Sequence, residues 1–137
     1  MIPNEGLEHI LELVTGDQAR GYWIGLCEDD YDTIASDAVL ADLTELSGAG
    51  YARQAVGGFG TWTSAAVSTT GWKVTSPAVT FTANGFDWSL ARTMFLVNGA
   101  SKLVAVQPVN GGAGIALADG ASYDMAIILQ LNRVDDA

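Results

Sequence analysis

Residues that build metal centres and disulfides are nearly absent from this chain. Its 137 residues include one cysteine and one histidine. A single cysteine excludes an internal disulfide framework and leaves the redox compartment open. A zinc site takes about four Cys or His ligands, which is more than the chain has. We therefore expect neither a metal site nor a bound cofactor.

Basic residues and long apolar runs are scarce as well. Six Lys and Arg residues stand against 16 Asp and Glu residues, which gives a formal net charge of −10. A surface of this sign repels phosphate groups, so we expect no binding to nucleic acid or to an anionic membrane. No apolar run approaches the ~18 to 20 residues of a membrane span, and the first residues lack the basic and apolar parts of a signal peptide. The sequence predicts a soluble protein that is made in the cytoplasm.

Apolar residues and glycine take the place of the missing charge. Hydrophobic residues account for 49% of the chain and charged residues for only 16%, against a usual charged share of ~25%. This composition excludes intrinsic disorder. The length fits one domain, and no linker, repeat or shift in composition divides it. We predict a single domain over residues 1–137.

Residues 1–16 are predicted to form an N-terminal helical docking segment. Asn4 suits the N-cap of a helix and Gly16 its C′ position. An apolar stripe with the spacing of one helix face contains Leu7, Ile10, Leu11 and Val14. A helix of about three turns is marginal on its own, so this stripe is a candidate interface. It packs either on its own domain or on a neighbouring subunit.

Turn residues and alternating apolar residues predict a β domain over residues 20–132. The clearest element is a hairpin with strands at 92–97 and 102–107, because the Asn98-Gly99 pair between them accepts the positive φ of a tight turn. Residues 123–131 are predicted to form one long central strand. Further strands are predicted at 20–27, 51–56, 61–63, 71–75 and 79–82. This pattern is typical of a mainly β chain, an antiparallel β-sandwich or jelly-roll-like domain with one short N-terminal helix.

Catalytic groups are few. Hydrolytic triads need a base that a third group orients beside a nucleophile, and His9 lies among glutamates on the predicted helix, where we expect it on the surface. Cys27 has no basic neighbour to lower its pKa, so we predict a small buried apolar residue. The sequence does not predict an enzyme.

Four carboxylates lie within five residues in a candidate electrostatic docking loop, which consists of Glu28, Asp29, Asp30 and Asp32. Like charges this close repel one another unless water, a cation or a basic partner offsets them. Calcium takes six to eight oxygen ligands, but the spacing of an EF-hand is absent. The loop is therefore a solvated loop, a surface for a basic partner, a cation site or a catalytic carboxylate pair.

Aromatic residues offer two further interpretations. Trp23, Trp62, Trp72 and Trp88 suit either a sugar-stacking platform or anchors in the core and at subunit contacts. We favour the anchors.

One segment carries a resemblance to a known family. Its residues are Thr44, Glu45, Ser47, Gly48, Gly50, Tyr51, Ala52 and Arg53. Together with Trp62 and a Val-Thr-Phe strand at 79–81, this stretch resembles small virion structural proteins of tailed bacteriophages. The resemblance covers most of the chain and implies an N-terminal helix followed by a loop-rich β domain. The chain departs from the family pattern after Phe81, where Asp87-Trp88-Ser89 intervenes.

The resemblance implies a place in the virion. We expect a capsid cement (decoration) protein that binds the major capsid protein on the outer capsid surface, after synthesis in the host cytoplasm. Apolar, poorly charged surfaces favour a homo-oligomer, most simply a trimer. The alternatives are a tail or head-fibre component, or a carbohydrate-binding sandwich for host attachment. Tyr51 and Arg53 are expected to be structural. They are predicted on one face of a strand, where the planar fork of the arginine braces a carboxylate or loop carbonyls and the tyrosine anchors the sheet.

Overall fold

The computed structural model describes residues 1–15, 21–58, 61–67 and 71–132, with the backbone alone at 11–15 and 132. One helix, α1, spans Asn4–Thr15. The strands of the described residues are β1 Tyr22–Cys27, β2 Gln54–Gly57, β3 Thr63–Val67, β4 Gly71–Thr75, β5 Val79–Thr82, β6 Thr93–Asn98, β7 Leu103–Pro108, β8 Ser122–Met125 and β9 Ile128–Asn132. Every strand pairing is antiparallel. The predicted fold class, mainly β and antiparallel with one short N-terminal helix, is confirmed.

The largest sheet has four strands in the order β2-β1-β6-β7. Its two central strands pair over their whole length, from Tyr22 opposite Asn98 to Cys27 opposite Thr93. Every residue of β6 is buried. Since successive side chains of a strand point to opposite faces, this sheet is covered on both sides.

Two smaller sheets, β3-β4-β9 and β5-β8, complete the fold. Side chains from all three sheets meet in a main core that includes Tyr22, Phe81, Leu96 and Leu129. Burial of each such side chain stabilises the fold by about 1.5–3 kcal/mol. The main core therefore holds the three sheets together.

A second, smaller core lies on the opposite face of the large sheet and contains Cys27, Phe95 and Val97. The loop between β1 and β2 covers this core with the partly buried side chains of Tyr31, Ile34, Leu40 and Leu43. Short 3₁₀ turns at Tyr31–Thr33 and Leu40–Asp42 shape the loop. The loop that contains the acidic residues therefore also covers the second core.

Helix α1 packs against β7 of its own chain. A Cβ atom at Gly6 would lie 2.1 Å from a backbone oxygen of β7, so only glycine permits this approach. The Glu5 carboxylate accepts a hydrogen bond from the Leu103 N–H at 2.8 Å. Met1 and Val106 exchange two hydrogen bonds, both of 3.0 Å. The N-terminal segment is therefore attached to the large sheet by both its extended start and its helix.

The buried side of α1 differs from the predicted apolar stripe. Pro3, Gly6 and His9 are buried, whereas 45% of Leu7 is exposed. The expectation that His9 lies on the surface is wrong, because the close approach at Gly6 turns this side of the helix inward. Apolar spacing alone does not reveal a face that is built from glycine, proline and histidine.

The single long strand predicted at 123–131 is two strands in different sheets. β8 pairs with β5, whereas β9 lies at an edge of the β3-β4-β9 sheet in the described residues. Ser76 fixes the break between them: its hydroxyl accepts from the Ile127 N–H, and its own N–H donates to the Ile127 carbonyl, both at 2.9 Å. The prediction of one central strand is wrong, because an unbroken apolar run does not show where a strand changes sheet.

The hairpin predicted around Asn98-Gly99 is present between β6 and β7. Its positive φ angle, 61°, falls on Ser101 rather than on Gly99. The Asn98 side-chain oxygen accepts the N–H groups of Ala100 at 3.0 Å and Lys102 at 2.9 Å. Asn98 therefore fixes the turn through its side chain, and the residue with the positive φ is Ser101.

Candidate functional site

The segment that carries the family resemblance folds around the Glu45 carboxylate. Arg53 donates two hydrogen bonds to it, from Nε to Oε1 at 2.9 Å and from Nη2 to Oε2 at 2.8 Å. The Tyr51 hydroxyl donates to Glu45 Oε1 at 2.8 Å and accepts from the Leu26 N–H at 2.9 Å. Bidentate arginine–carboxylate pairs are among the stronger charged contacts. Of the two kinds of partner left open for the Arg53 fork, a carboxylate or loop carbonyls, the structure shows a carboxylate, that of Glu45.

Electrostatics sets this cluster apart from a proton-transfer site. The Arg53 guanidinium holds the pKa of the Glu45 carboxyl below its ordinary value against the opposing effect of burial, and the Tyr51 hydroxyl adds to the lowering. Burial raises the pKa of Tyr51, and Glu45 raises it further. A general acid or base works with a pKa near the operating pH. Both shifts lead away from it, so the cluster is built as a brace.

Tyr51 and Arg53 precede β2, which begins at Gln54, so the strand predicted at 51–56 is shorter than expected. The Tyr51 ring stacks on Phe81 of the main core, with 6.1 Å between centroids and 10° between planes. The Arg53 guanidinium carbon lies 5.7 Å from the ring centroid of Phe95 in the second core. The two side chains therefore connect one loop to both cores.

Two glycines of the segment allow close packing. A Cβ atom at Gly48 would lie 2.3 Å from Cδ1 of Trp88, whose Nε1–H donates to the Ala49 carbonyl at 2.8 Å. Gly50 has a φ of 80°, which L side chains rarely adopt. The other residues of the motif, Thr44, Ser47 and Ala52, are exposed. The segment is thus a structural element, with its charged and aromatic side chains turned towards the protein.

Carboxylates of the candidate electrostatic docking loop bind their own chain. Asp29 Oδ2 accepts from the Thr44 N–H at 2.6 Å, and Glu28 accepts from the hydroxyl of Ser89. Asp30 Oδ1 accepts from the Asp32 N–H at 3.1 Å and so caps the first 3₁₀ turn. The Asp30 carboxylate also lies 3.7 Å from an Arg92 nitrogen. Three of the four side chains therefore shape the loop, and the role of the loop in docking stays a prediction.

His9 and Cys27 are both fully buried. His9 Nε2 lies 2.6 Å from the Tyr22 hydroxyl, and its Nδ1 lies 3.0 Å from Nδ2 of Asn98. Since the Asn98 oxygen already accepts two backbone N–H groups, the Asn98 amide donates to Nδ1. Burial raises the pKa of the Cys27 thiol to about 12. The prediction of a buried cysteine is confirmed, and His9 is a structural link between α1 and the large sheet.

In the described part of the chain, no group of three or more His, Cys, Asp or Glu side chains is placed to hold a metal ion. None of its helices is long and apolar enough to cross a membrane. No family model, curated protein or solved structure matches the chain.

The four tryptophans divide into two pairs. Trp62 and Trp88 are core residues, as the anchor interpretation predicts. Trp72 on β4 is 55% exposed, and Trp23 on β1 is half-buried. Trp72 and Trp23 border different depressions of the surface.

Trp72 borders an apolar groove of about 230 Å³ between α1 and the β3-β4-β9 sheet. The lining of this apolar groove is Ile2, Ile10, Trp72, Val74, Leu129 and Leu131. Leu131 lies opposite Trp72 across the strand pair and is 53% exposed. Of the candidate interface residues, Ile10 reaches the groove and Leu7 is exposed, whereas the side chains of Leu11 and Val14 lie outside the described residues. The alternation of Trp72 and Val74 on β4 was the sequence signal for this surface.

Proposed function

We propose that this chain is a non-enzymatic structural protein of a tailed-phage virion, and specifically a capsid cement (decoration) protein. It binds the major capsid protein on the outer surface of the capsid in many copies and stabilises the particle. The resemblance of residues 44–53 to phage virion proteins supports this proposal. The contacts of Tyr51 and Arg53 with Glu45, Phe81 and Phe95 are consistent with a structural role for this segment.

The observation that carries the proposal is the apolar groove. Trp72 and Leu131 expose about half of their surfaces, and all six lining residues are uncharged. Tryptophan is enriched among the residues that dominate binding energies at protein interfaces. Because the helix contributes Ile10 and the sheet contributes Trp72, the two elements present one continuous surface to the capsid.

Charge complements this apolar contact. A chain with a net charge of −10 associates faster with a basic surface, and salt screens the attraction. We place the basic residues on the major capsid protein. A homotrimer on a three-fold position of the capsid is the assembly that fits a closed cyclic oligomer.

A second candidate function is that of a tail or head-fibre component. The apolar groove and the acidic surface fit this function as well as they fit a cement protein. The location of the chain in the particle therefore distinguishes the two candidates.

Sedimentation with genome-free capsid shells of the encoding phage tests the proposal. We expect saturable binding of the purified chain, weakened about tenfold or more by Trp72→Ser, since burial of a large aromatic side chain contributes on that scale. Phe86→Ser is the matched control, because Phe86 is 74% exposed and lies outside the groove. Binding to isolated tails but not to shells would instead support the second candidate, and binding to neither would refute both.

A further inference from the structure

Trp23, the half-buried tryptophan of β1, borders an open depression of about 460 Å³ on the large sheet. Its lining is Trp23, Arg53, Val97, Asn98, Gly99 and Ser101. Trp23 lies opposite Val97 in the pairing of β1 with β6, and the ring packs partly against the second core. The depression therefore has a fixed aromatic wall beside polar groups, unlike the apolar groove at Trp72.

Arg53 is held in place at this depression. Two of its nitrogens, Nε and Nη2, donate to Glu45, and none of the hydrogen bonds that the structure describes involves Nη1. Since Glu45 neutralises the guanidinium, Nη1 offers hydrogen-bond donors without an unbalanced charge. A positioned donor costs little entropy when a ligand binds.

Ser101 is positioned by a strained backbone. Its φ of 61° is one of only two positive values among the non-glycine residues of the described chain. The two hydrogen bonds that the Asn98 side-chain oxygen accepts, from the N–H groups of Ala100 and Lys102, fix the turn that presents Ser101. Ser101 is exposed, and its hydroxyl makes none of the hydrogen bonds described. Backbone strain of this kind is concentrated at functional sites.

The chemistry of the lining selects the ligand class. Apolar ligands need pockets that enclose most of their surface, which an open depression does not do. Anions are disfavoured by the net charge of −10 and by the pairing of Arg53 with Glu45. A ligand with an apolar face, several hydroxyl groups and no charge suits an aromatic wall with neighbouring N–H and O–H groups. These are the properties of a neutral pyranose sugar.

We infer that the depression is a binding site for a neutral saccharide, with the ring against Trp23 and hydroxyl groups on Arg53 Nη1 and Ser101 Oγ. The site lies within one chain and away from the apolar groove. It therefore goes beyond the proposed capsid function and does not depend on it. On the surface of a particle, many copies of a weak site of this kind would bind glycans with high avidity.

Saturation-transfer NMR and tryptophan fluorescence on the purified chain test the inference. The probes are glucose, galactose, mannose and N-acetylglucosamine up to about 50 mM, which covers a Kd of about 1 mM, and an array of neutral oligosaccharides. N-acetylneuraminic acid is the anionic comparator. We expect saturable binding of at least one neutral sugar, with no gain for the anionic one.

Three variants assign the binding to this site. Trp23→Ala is expected to weaken it about tenfold or more, as loss of an aromatic contact does, whereas the matched variant Trp72→Ala leaves it unchanged. Ser101→Gly removes the hydroxyl and relieves the positive φ, so it weakens binding with an unchanged or higher Tm. This variant decides the question if Trp23→Ala does not fold. Absence of saturable binding to every neutral probe, or binding that persists in both Trp23→Ala and Ser101→Gly, would overturn the inference.

Discussion

At the scale of single residues, Glu45 accepts three side-chain hydrogen bonds through its carboxylate. It pairs with Arg53, accepts from Tyr51 and forms a backbone bridge with Cys27 of β1. A half-buried carboxylate that loses its cation keeps the cost of desolvation and loses the compensating charge. The contribution of the Arg53–Glu45 pair to stability therefore depends on its geometry and burial. The more exposed pair of Arg92 and Asp30 provides the comparison.

Replacement of Arg53 by alanine is expected to lower the free energy of unfolding by about 2 kcal/mol, because Glu45 loses both hydrogen bonds of the fork. Arg92→Ala is the matched control: its nitrogen lies 3.7 Å from Asp30, and both side chains are nearly half exposed. Exposed pairs contribute about 0–1 kcal/mol. Urea denaturation of the three proteins measures the difference, and equal losses for the two variants would contradict the account of the brace.

Acid is expected to weaken the same pair. The pKa of Glu45 in the folded protein is below its ordinary value, which is about 4.3 in unfolded chains. The contribution of the pair is therefore fully present above pH ~4.3 and is lost as the pH falls through the lower, folded pKa. Urea denaturation at a series of pH values should show the stability gap between wild type and Glu45→Gln closing in acid. A gap that stays constant would show that Glu45 does not titrate in this way.

At the scale of the elements, the N-terminal helix is both a part of the core and a surface. Its Gly6 side packs on β7 and its His9 is buried against the large sheet, whereas Ile10 lines the apolar groove. Of the two alternatives left open for the docking segment 1–16, packing on its own domain or on a neighbouring subunit, these contacts show the first. A point substitution in the helix tests this packing without removal of the whole segment.

Gly6→Ala is expected to lower the free energy of unfolding, whereas helix propensity alone predicts an increase. In an exposed helix interior the change would stabilise by about 1 kcal/mol, but here the added Cβ would lie 2.1 Å from a backbone oxygen of β7. We expect a net loss of about 2 kcal/mol, because the helix has to move away from the strand. Leu7→Ala on the exposed side of the helix is the control, with a change within about 0.5 kcal/mol. A stabilised Gly6→Ala protein would show that the helix is not packed against β7.

The acidic loop between β1 and β2 is expected to respond unevenly to loss of its charges. Asp29→Ala removes the acceptor for the Thr44 N–H and should cost about 1 kcal/mol, the usual range for a side-chain cap. Asp32→Ala should have little effect on stability, since the structure describes no contact of its carboxylate. Thermal melts of both variants provide the test. Equal changes in stability for the two variants would show that Asp29 has no structural role, which is the solvated-loop alternative of the sequence analysis.

Sequence patterns predicted local elements better than the contacts between them. The hairpin at Asn98 and the strands at 71–75 and 79–82 were predictable, because turn chemistry and alternation act within a few residues. The break at Ile127 depends on Ser76, far away in the chain, and the burial of His9 depends on Asn98. The Arg53 brace was predictable in kind, whereas its partner Glu45 and the depression at Trp23 needed the positions of neighbouring strands.

At the scale of the whole molecule, packed sheets support two surface features, the apolar groove and the Trp23 depression. Three sheets share one core, and the loop that carries the family resemblance ties that core to the second one. The apolar groove and the Trp23 depression are lined by residues of these packed elements. Under the cement proposal, we expect such a small chain to suit repeated attachment to a capsid lattice.

A cryo-electron microscopy map of the particle that carries this chain tests the cement proposal. We expect density for the chain on the outer capsid surface, as trimers on three-fold positions, with Trp72 and Leu131 buried against the major capsid protein. Density for the chain only in the tail or a head fibre would contradict the cement proposal. So would copies on the capsid whose apolar groove faces solvent.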